Sequence, residues 1–582
     1  MLRLAPRDVS AKRIGDAWYV ASNAPLAPHP ESLAEVFRSA AARAPDRDFL
    51  IERRGDDLRR VTWRDALRAA EGIGSWLLAE GVAPVVALSG NSIDHALLML
   101  GCFLAGVPFV PVSPAYSLMS QDFGKLRAVI ARTKPSAIFV ATRAPFERAL
   151  AAIAAEAPRA RAITSNDLAE LATREPAREL RDVRVARTDV AKILFTSGST
   201  GFPKGVPNTH EMLCANQQMI AQLWPFLAED DPPVLVDWLP WSHTFGGNHN
   251  FNMVLFHAGT LFVDEGKPTE ALVSASLRNL RQVPPTLYFN VPAGYAALVP
   301  RLERDDDLRR AFFSRLRVMF YAAAALPPDL WTRLVALARR SRDEDGAREV
   351  FMTTAWGSTE TSPLATSAHF EGAPGNIGLP APGVTLKLAP NGSKLEVRVK
   401  GPNVMRGYLD EPELTKSAFD EEGFYKIGDA VRFAREGDPS HGLMFDGRVA
   451  EDFKLASGTW VSVTAIRTGV LARASGLLSD VVVCGHDRQF LAILAWPSGE
   501  PRGDLRARVR DALVAWNEAN PASSTRVARA ILLREPPSID AGEITDKGYT
   551  NQRVTRERRA SDVERLFAID PDDDVIAIVS SS

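Results

Sequence analysis

Over the first two-thirds of the chain, apolar positions recur at helical spacing in some stretches and cluster in short β-branched blocks in others. Ala66 to Ala79 carries the helical pattern, Val85 to Leu88 reads as a strand, Ala96 to Ala105 as a helix and Ala137 to Val140 as a strand. Such alternation predicts an α/β fold with largely parallel sheets, since a parallel neighbour is reached only through a crossover segment. Past about Gly383 the pattern changes. Val384-Thr-Leu-Lys-Leu, Lys394-Leu-Glu-Val-Arg-Val and Ala430-Val-Arg-Phe alternate apolar with polar residues, as half-exposed antiparallel strands do. A compact segment follows Gly447-Arg448, with strands expected at Asp480-Val-Val-Val-Cys and Phe490-Leu-Ala-Ile-Leu-Ala. These shifts divide the chain into a large domain over residues 1–449 and a small one over 450–582. The acidic stretch Asp570 to Asp574 reads as a solvated terminus.

With 582 residues, 46 % of them hydrophobic, the chain can fill more than one core. A formal net charge of −2, from 69 basic and 71 acidic residues, gives no global field for nucleic acid or an anionic membrane. Cys102, Cys214 and Cys484 lie far apart, which argues against a disulfide framework or a zinc site and suits a reducing cytosol. The longest apolar run, Ala96 to Val112, is broken by Gly101, Gly106, Pro108 and Pro111, and so predicts a buried helix followed by a strand rather than a membrane span. Met1-Leu-Arg-Leu-Ala-Pro lacks the apolar core of a signal peptide. The expectation is a soluble cytoplasmic protein, monomeric or homodimeric, with neither nucleic acid nor membrane as partner.

Chemistry concentrates first in Ile193-Leu-Phe-Thr-Ser-Gly-Ser-Thr-Gly-Phe-Pro-Lys-Gly-Val-Pro207. An apolar strand, Ile193 to Phe195, runs into a loop of glycines and hydroxylated residues that ends on Lys204. Glycines let successive backbone N–H groups turn toward one anion; Thr196, Ser197, Ser199 and Thr200 add hydroxyls, and Lys204 adds charge. The loop is suited to phosphate. It is not a kinase or GTPase P-loop: the sixth residue from Gly198 is Pro203, and Gly205 rather than Ser or Thr follows the lysine.

This loop resembles the signature of the adenylate-forming superfamily, which comprises acyl- and aryl-CoA synthetases, peptide-synthetase adenylation domains and firefly luciferase. Further elements follow in the order that resemblance requires. Trp356-Gly-Ser-Thr-Glu360 is similar to the family's aromatic-Gly-x-Thr-Glu element, Tyr425-Lys-Ile-Gly-Asp429 to its Tyr-x-Thr-Gly-Asp element, and Arg448 matches the family arginine. Phe320-Tyr-Ala-Ala-Ala-Ala-Leu-Pro327 corresponds to the adenine wall, with alanines where the family usually has a glycine.

The resemblance implies ATP, Mg²⁺ and coenzyme A as cofactors. It places Gly198 and Gly201 with the hydroxyls above on the phosphates, Thr200 and Glu360 on the metal, and Ala323, Ala324, Trp356, Gly357, Ser358 and Thr359 around the base. Asp429 and Arg448 fall on the ribose, and Gly458 in a loop offered to the pantetheine thiol. It also implies a large N-terminal domain of doubly wound sheets with a small β-barrel-like region, and a small mobile α+β C-terminal domain. The pivot falls on Ala450 counting from Arg448, or on Glu451 counting back from Gly458. Lys547, in Gly542-Glu-Ile-Thr-Asp-Lys547-Gly-Tyr, is the lysine expected to reach into the site during adenylation; Asp546 stands where the family has glycine.

Asp237-Trp-Leu-Pro-Trp-Ser-His-Thr-Phe-Gly-Gly-Asn-His-Asn-Phe251 lies where the superfamily builds its carboxylate pocket. His243 matches a pocket residue that moves between steps, and Phe245, Gly246, Gly247 and Asn248 are further lining candidates. Gly246 and Gly247 would leave room for a flat ring; Asn248 and Asn250 suit either a phenol or solvent. Together with Val112-Ser-Pro-Ala-Tyr-Ser, Asp264-Glu-Gly-Lys-Pro, Tyr288-Phe-Asn-Val-Pro and the hinge stretch, this segment resembles bacterial feruloyl-CoA synthases. That resemblance implies a hydroxycinnamate substrate. Two alternatives stand beside it: a stand-alone enzyme that loads a carrier-protein phosphopantetheine, and a catalytically silent nucleotide-binding protein.

Overall fold

A computed structural model describes residues 2–197, 202–229, 231–392, 394–449, 451–474, 476–499, 503–545 and 550–578. Two sheets meet the alternating pattern of the first half. In a six-stranded sheet the strands Phe109–Pro111, Val85–Ala87, Ala137–Phe139 and Arg161–Ile163 run parallel. Beside them lies Val190–Ser197, which turns back as the antiparallel edge strand Pro203–Thr209. A four-stranded sheet sets Val234–Asp237, Thr260–Val263 and Asp48–Arg54 in parallel and ends on Asp57–Thr62.

The crossover helices form where the periodicity places them. Ile93–Ala105 starts at Ser92, whose hydroxyl accepts from the His95 N–H at 3.0 Å, and stops at Gly106 in a left-handed conformation (φ 68°). Every residue of this helix is buried, so the run from Ala96 to Val112 is core helix and strand, as its Gly and Pro content requires. Among the described residues, no helix is long and apolar enough to cross a membrane.

A third sheet of eleven strands joins both textures. Leu287–Asn290, Val318–Tyr321 and Phe351–Gly357 are parallel; the sheet then continues antiparallel through Leu364–Ser367, Asn376–Pro380, Asp438–Arg448, Tyr425–Arg435, Lys394–Lys400, Thr385–Asn391, Ala17–Ser22 and Val9–Ile14. The alternating region is thus hydrogen-bonded into the same sheet that carries Trp356.

Past Phe453, separate buried clusters form around the strands Leu478–Cys484, Leu491–Pro497, Val527–Leu532 and Val575–Ala577. The acidic stretch is not a free tail. Arg565 pairs with Asp572 and Asp574, both at 2.7 Å, and the chain then enters the sheet at Val575–Ala577. A like-charged run becomes ordered here because two guanidinium groups gather it, Arg565 on its carboxylates and Arg506 on the carbonyls of Asp573 and Asp574, and it leads into an edge strand.

Candidate functional site

The Val190–Ser197/Pro203–Thr209 hairpin pairs Thr196 with Lys204. Gly198, Ser199, Thr200 and Gly201 lie outside the described residues, as do Ala450 and Lys547. Lys204 Nζ stands 5.3 Å from the centre of the Tyr408 ring, whose hydroxyl donates to Glu360 Oε1 at 3.0 Å. A second phenol, Tyr425, lies 3.4 Å from the Tyr408 oxygen. Burial, and then the Glu360 charge, push the Tyr408 hydroxyl well above its ordinary value, so it stays a neutral donor.

Glu360 sits in a short turn after Phe351–Gly357, 8 % exposed, and its own carbonyl accepts from Met405 N at 2.8 Å. Among the described residues its second oxygen has no hydrogen-bond partner, which leaves it to a cation. Magnesium takes one or two protein carboxylates and completes its shell with phosphate and water, so a lone carboxylate of this kind fits it. Among the described residues, no group of three or more His, Cys, Asp or Glu could hold a metal by itself.

Trp356 and Asp429 meet across the same sheet. The indole Nε1 donates to Asp429 Oδ2 at 2.8 Å, and Arg448 Nε lies 3.2 Å from Oδ1. The strand register produces this pairing, since Asp429 faces Arg448 across Tyr425–Arg435 and Asp438–Arg448. Burial raises the Asp429 carboxyl above its ordinary value against the pull of Arg448 and the indole. Asp429 Oδ1 has no aligned hydrogen-bond donor among the described residues. The aromatic residue at position 356 therefore does more than supply a ring: its indole N–H orients the carboxylate.

Gly357 is required where it stands, because a Cβ there would lie within 3.0 Å of Pro363 O. Ser358 N donates to Thr361 Oγ1 at 2.8 Å, and Thr359 is buried beside it. Ala323 adopts φ 72°, a conformation that costs a residue with a Cβ about 1 kcal/mol. Its neighbour Ala324 is exposed at the same rim.

The acyl segment departs from its expected form. Residues Phe245–Asn250 make a π-helical turn packed onto the preceding loop. A Cβ on Gly246 would fall within 3.0 Å of Leu239 O and Pro240 O, and one on Gly247 within 3.0 Å of Trp241 O. The two glycines thus admit backbone, not a ligand ring. Asn248, fully buried, donates to Asn208 Oδ1 at 2.9 Å and Thr244 Oγ1 at 3.2 Å, while Asn250 donates to Asp237 Oδ2 at 2.9 Å. Neither amide is a loop group in solvent: both nitrogens are committed to internal partners, while Asn248 Oδ1 has no hydrogen-bond partner among the described residues. The same segment does present rings: Phe245 is half-buried and packs against Phe320 (5.6 Å) and His249 (5.8 Å), with Phe289 5.2 Å from His249. His243, also half-buried, opens the turn, its carbonyl accepting from Gly247 N at 2.8 Å.

Toward the C-terminus, Glu451 is held above its ordinary value by burial, against Arg448, Arg556 and Arg467. Asp452 pairs with Lys394 of the large sheet. Gly458 lies at φ 80° in an exposed turn whose hairpin carries Trp460 beneath Lys454. The strip that leads toward Lys547 is docked on the large domain: Asp540 accepts from Ser120 Oγ at 2.6 Å and Gln121 N at 2.9 Å.

Sequence reasoning missed Tyr408 and Lys192. Tyr408 follows Met405-Arg-Gly in a segment without a recognised pattern. Lys192 stands inside the apolar run before the glycine loop, where a lone charge was the available signal.

Residues 37–409 match the family model described as AMP-binding enzyme. Over 578 residues the chain is 28 % identical to a probable non-canonical nonribosomal peptide synthetase, CymA, from Salinispora arenicola, spanning 92 % of this chain and 7 % of that one. It is 28 % identical over 335 residues to the mitochondrial malonate–CoA ligase ACSF3 of Homo sapiens, covering 51 % of this chain and 54 % of the ligase. The chain therefore spans a small part of the first relative and about half of the second. The solved structure of the anthranilate CoA ligase AuaEII with anthranoyl-AMP superposes with a TM-score of 0.72 at 20 % identity, covering 93 % of this chain and 99 % of that one.

Proposed function

Because the chain belongs to the AMP-binding enzyme family, we propose that it is an ATP-dependent acid–thiol ligase that activates a hydroxycinnamate such as ferulate and transfers it to coenzyme A. A carboxylate oxygen attacks the α-phosphorus of ATP and pyrophosphate leaves. The CoA sulfur then attacks the acyl carbon, its proton passes to solvent, and AMP leaves. The first step brings two anions together, so fixed positive charge is what the protein must supply. Lys204, at the glycine loop, meets the departing phosphates, and Lys547 serves the carboxylate and α-phosphate. Thr200 and Glu360 would hold a magnesium ion, whose charge offsets that of the phosphates. Asp429 and Arg448 bind the ribose, and Trp356 orients Asp429.

The observation that carries this reading is Asp429. A buried carboxylate, oriented by an indole N–H and a guanidinium, retains one oxygen without an aligned donor. Such an atom is costly unless a ligand completes it, and a ribose hydroxyl does so. The rings of Phe245, Phe289 and Phe320 support a flat apolar acid. ATP–pyrophosphate exchange with ferulate, p-coumarate, caffeate, benzoate, malonate and a medium-chain fatty acid tests the assignment. Ferulate-class acids are expected to give the highest kcat/KM; faster exchange with malonate or the fatty acid would reassign the substrate.

The similarity to a peptide synthetase over 92 % of the chain favours a second reading, in which the acceptor is a carrier-protein phosphopantetheine. AMP release dependent on free CoA separates the two.

A further inference from the structure

Lys192 is fully buried on the strand Val190–Ser197, in the apolar layer beneath the acyl segment. Its ammonium donates to Gly247 O at 2.7 Å and lies 5.7 Å from the ring centre of Phe103 and 5.8 Å from that of Phe251. A charge in such surroundings is expensive unless it does something a neutral side chain would not. Its hydrogen-bond partner shows what. Where a π-helical turn returns to α-helix, the bonding step shortens from five residues to four, and a carbonyl is left without its helical donor. At this turn Lys192 serves Gly247 O, and Gln217 serves Asn248 O at 2.9 Å and His249 O at 3.2 Å.

We propose that Lys192 is a positioning residue for acid binding: by holding the Gly247 carbonyl it fixes the π-helical turn that presents His243, Phe245 and His249 to the carboxylic acid. This rests on reading residues 238–251 as the acid pocket. Without the ammonium the turn relaxes toward α-helix, and its side chains rotate out of register with the pocket. Of the proposed nucleotide contacts, Glu360, Asp429 and Arg448 lie on other elements, and Thr196 lies four residues further along the Lys192 strand; these are expected to stay as they are.

The ionisable groups around Lys192 are His95 on the helix Ile93–Ala105 and His210 at the start of His210–Leu223, both kept neutral by burial with values near 4, and His249 and Asp237 at the far side of the turn. Burial also lowers Lys192 to about 7. The positive charge is therefore lost as pH rises through that value, while the neutral amine keeps N–H donors for Gly247 O.

The test is pyrophosphate exchange by the full-length enzyme, with KM for ferulate and for ATP measured separately. In Lys192→Met, KM for ferulate is expected to rise about 10- to 100-fold while KM for ATP stays within about twofold. Lys192→Gln carries the same comparison if the Met variant does not fold. An unchanged KM for ferulate, or a parallel rise in both KM values, overturns the proposal. Phe245→Ala separates the two levels. If it raises KM for ferulate and Lys192→Met does not, the pocket stands and the role of Lys192 falls; if neither moves it, the pocket reading falls and the proposal with it.

Discussion

On the side proposed to bind nucleotide, Lys204 and Glu360 both meet Tyr408, and Asp429 meets Trp356 and Arg448, side chain to side chain. On the acyl side the polar groups turn inward. Asn91 binds Leu239 O and Trp241 N, Asp237 binds Asn250, Lys192 binds Gly247 O and Lys267 binds Trp238 O. The first arrangement recognises by charge and hydrogen bonding. The second uses buried polar groups to fix backbone, and leaves recognition to the shape of the rings it presents. A mutation on one side should therefore act on ATP parameters, and one on the other on the acid or on stability.

The largest effect that would test this division is at the incoming lysine. Lys547→Ala should slow adenylation by about 10²–10³-fold and spare thioester formation from supplied acyl-adenylate; equal loss of both half-reactions in stopped-flow assays would remove the lysine from the first step. Asp429→Ala comes next. It strips the ribose acceptor and leaves Trp356 and Arg448 unpartnered, so KM for ATP should rise roughly 30- to 150-fold, about 2–3 kcal/mol, with KM for the acid unchanged. On the acyl side, Gly247→Ala forces a methyl group against Trp241 O and should cost about 1–3 kcal/mol of stability, read by calorimetry. An unshifted melting midpoint would mean the turn is loosely packed. Trp356→Phe keeps a ring and loses the N–H on Asp429; about 1 kcal/mol of ATP binding is the expected loss, seen by isothermal titration.

The sequence was most legible where chemistry is tied to pattern. The helix Trp63–Ala79 follows from periodicity, because an amphipathic element must repeat at its own geometric period, while Ile93–Ala105, buried all round, follows from the Gly and Pro that bound its apolar run. Trp356, Asp429 and Arg448, far apart in the chain, could be named from motif order, and strand register then brings them together. What was not legible depends on what a side chain faces across the fold. Asn248 and Asn250 look the same whether they meet a phenol, water or Asn208 and Asp237. Gly246 and Gly247 look the same whether they admit a ring or a carbonyl. The π-helical turn has no distinct sequence period, so the carbonyl that Lys192 meets was invisible. Asp570 to Asp574 read as solvated because Arg565 and Arg506, distant or unmarked in the local composition, hold them.

The central claim is that this cleft joins a carboxylate to AMP. A single turnover of the purified chain with ATP, magnesium and ferulate, quenched before any thiol is added and examined by mass spectrometry, tests it most directly. The account predicts feruloyl-adenylate and pyrophosphate in equal amounts. ATP consumed to ADP and phosphate, with no adenylate formed from ferulate or any other acid offered, would contradict it.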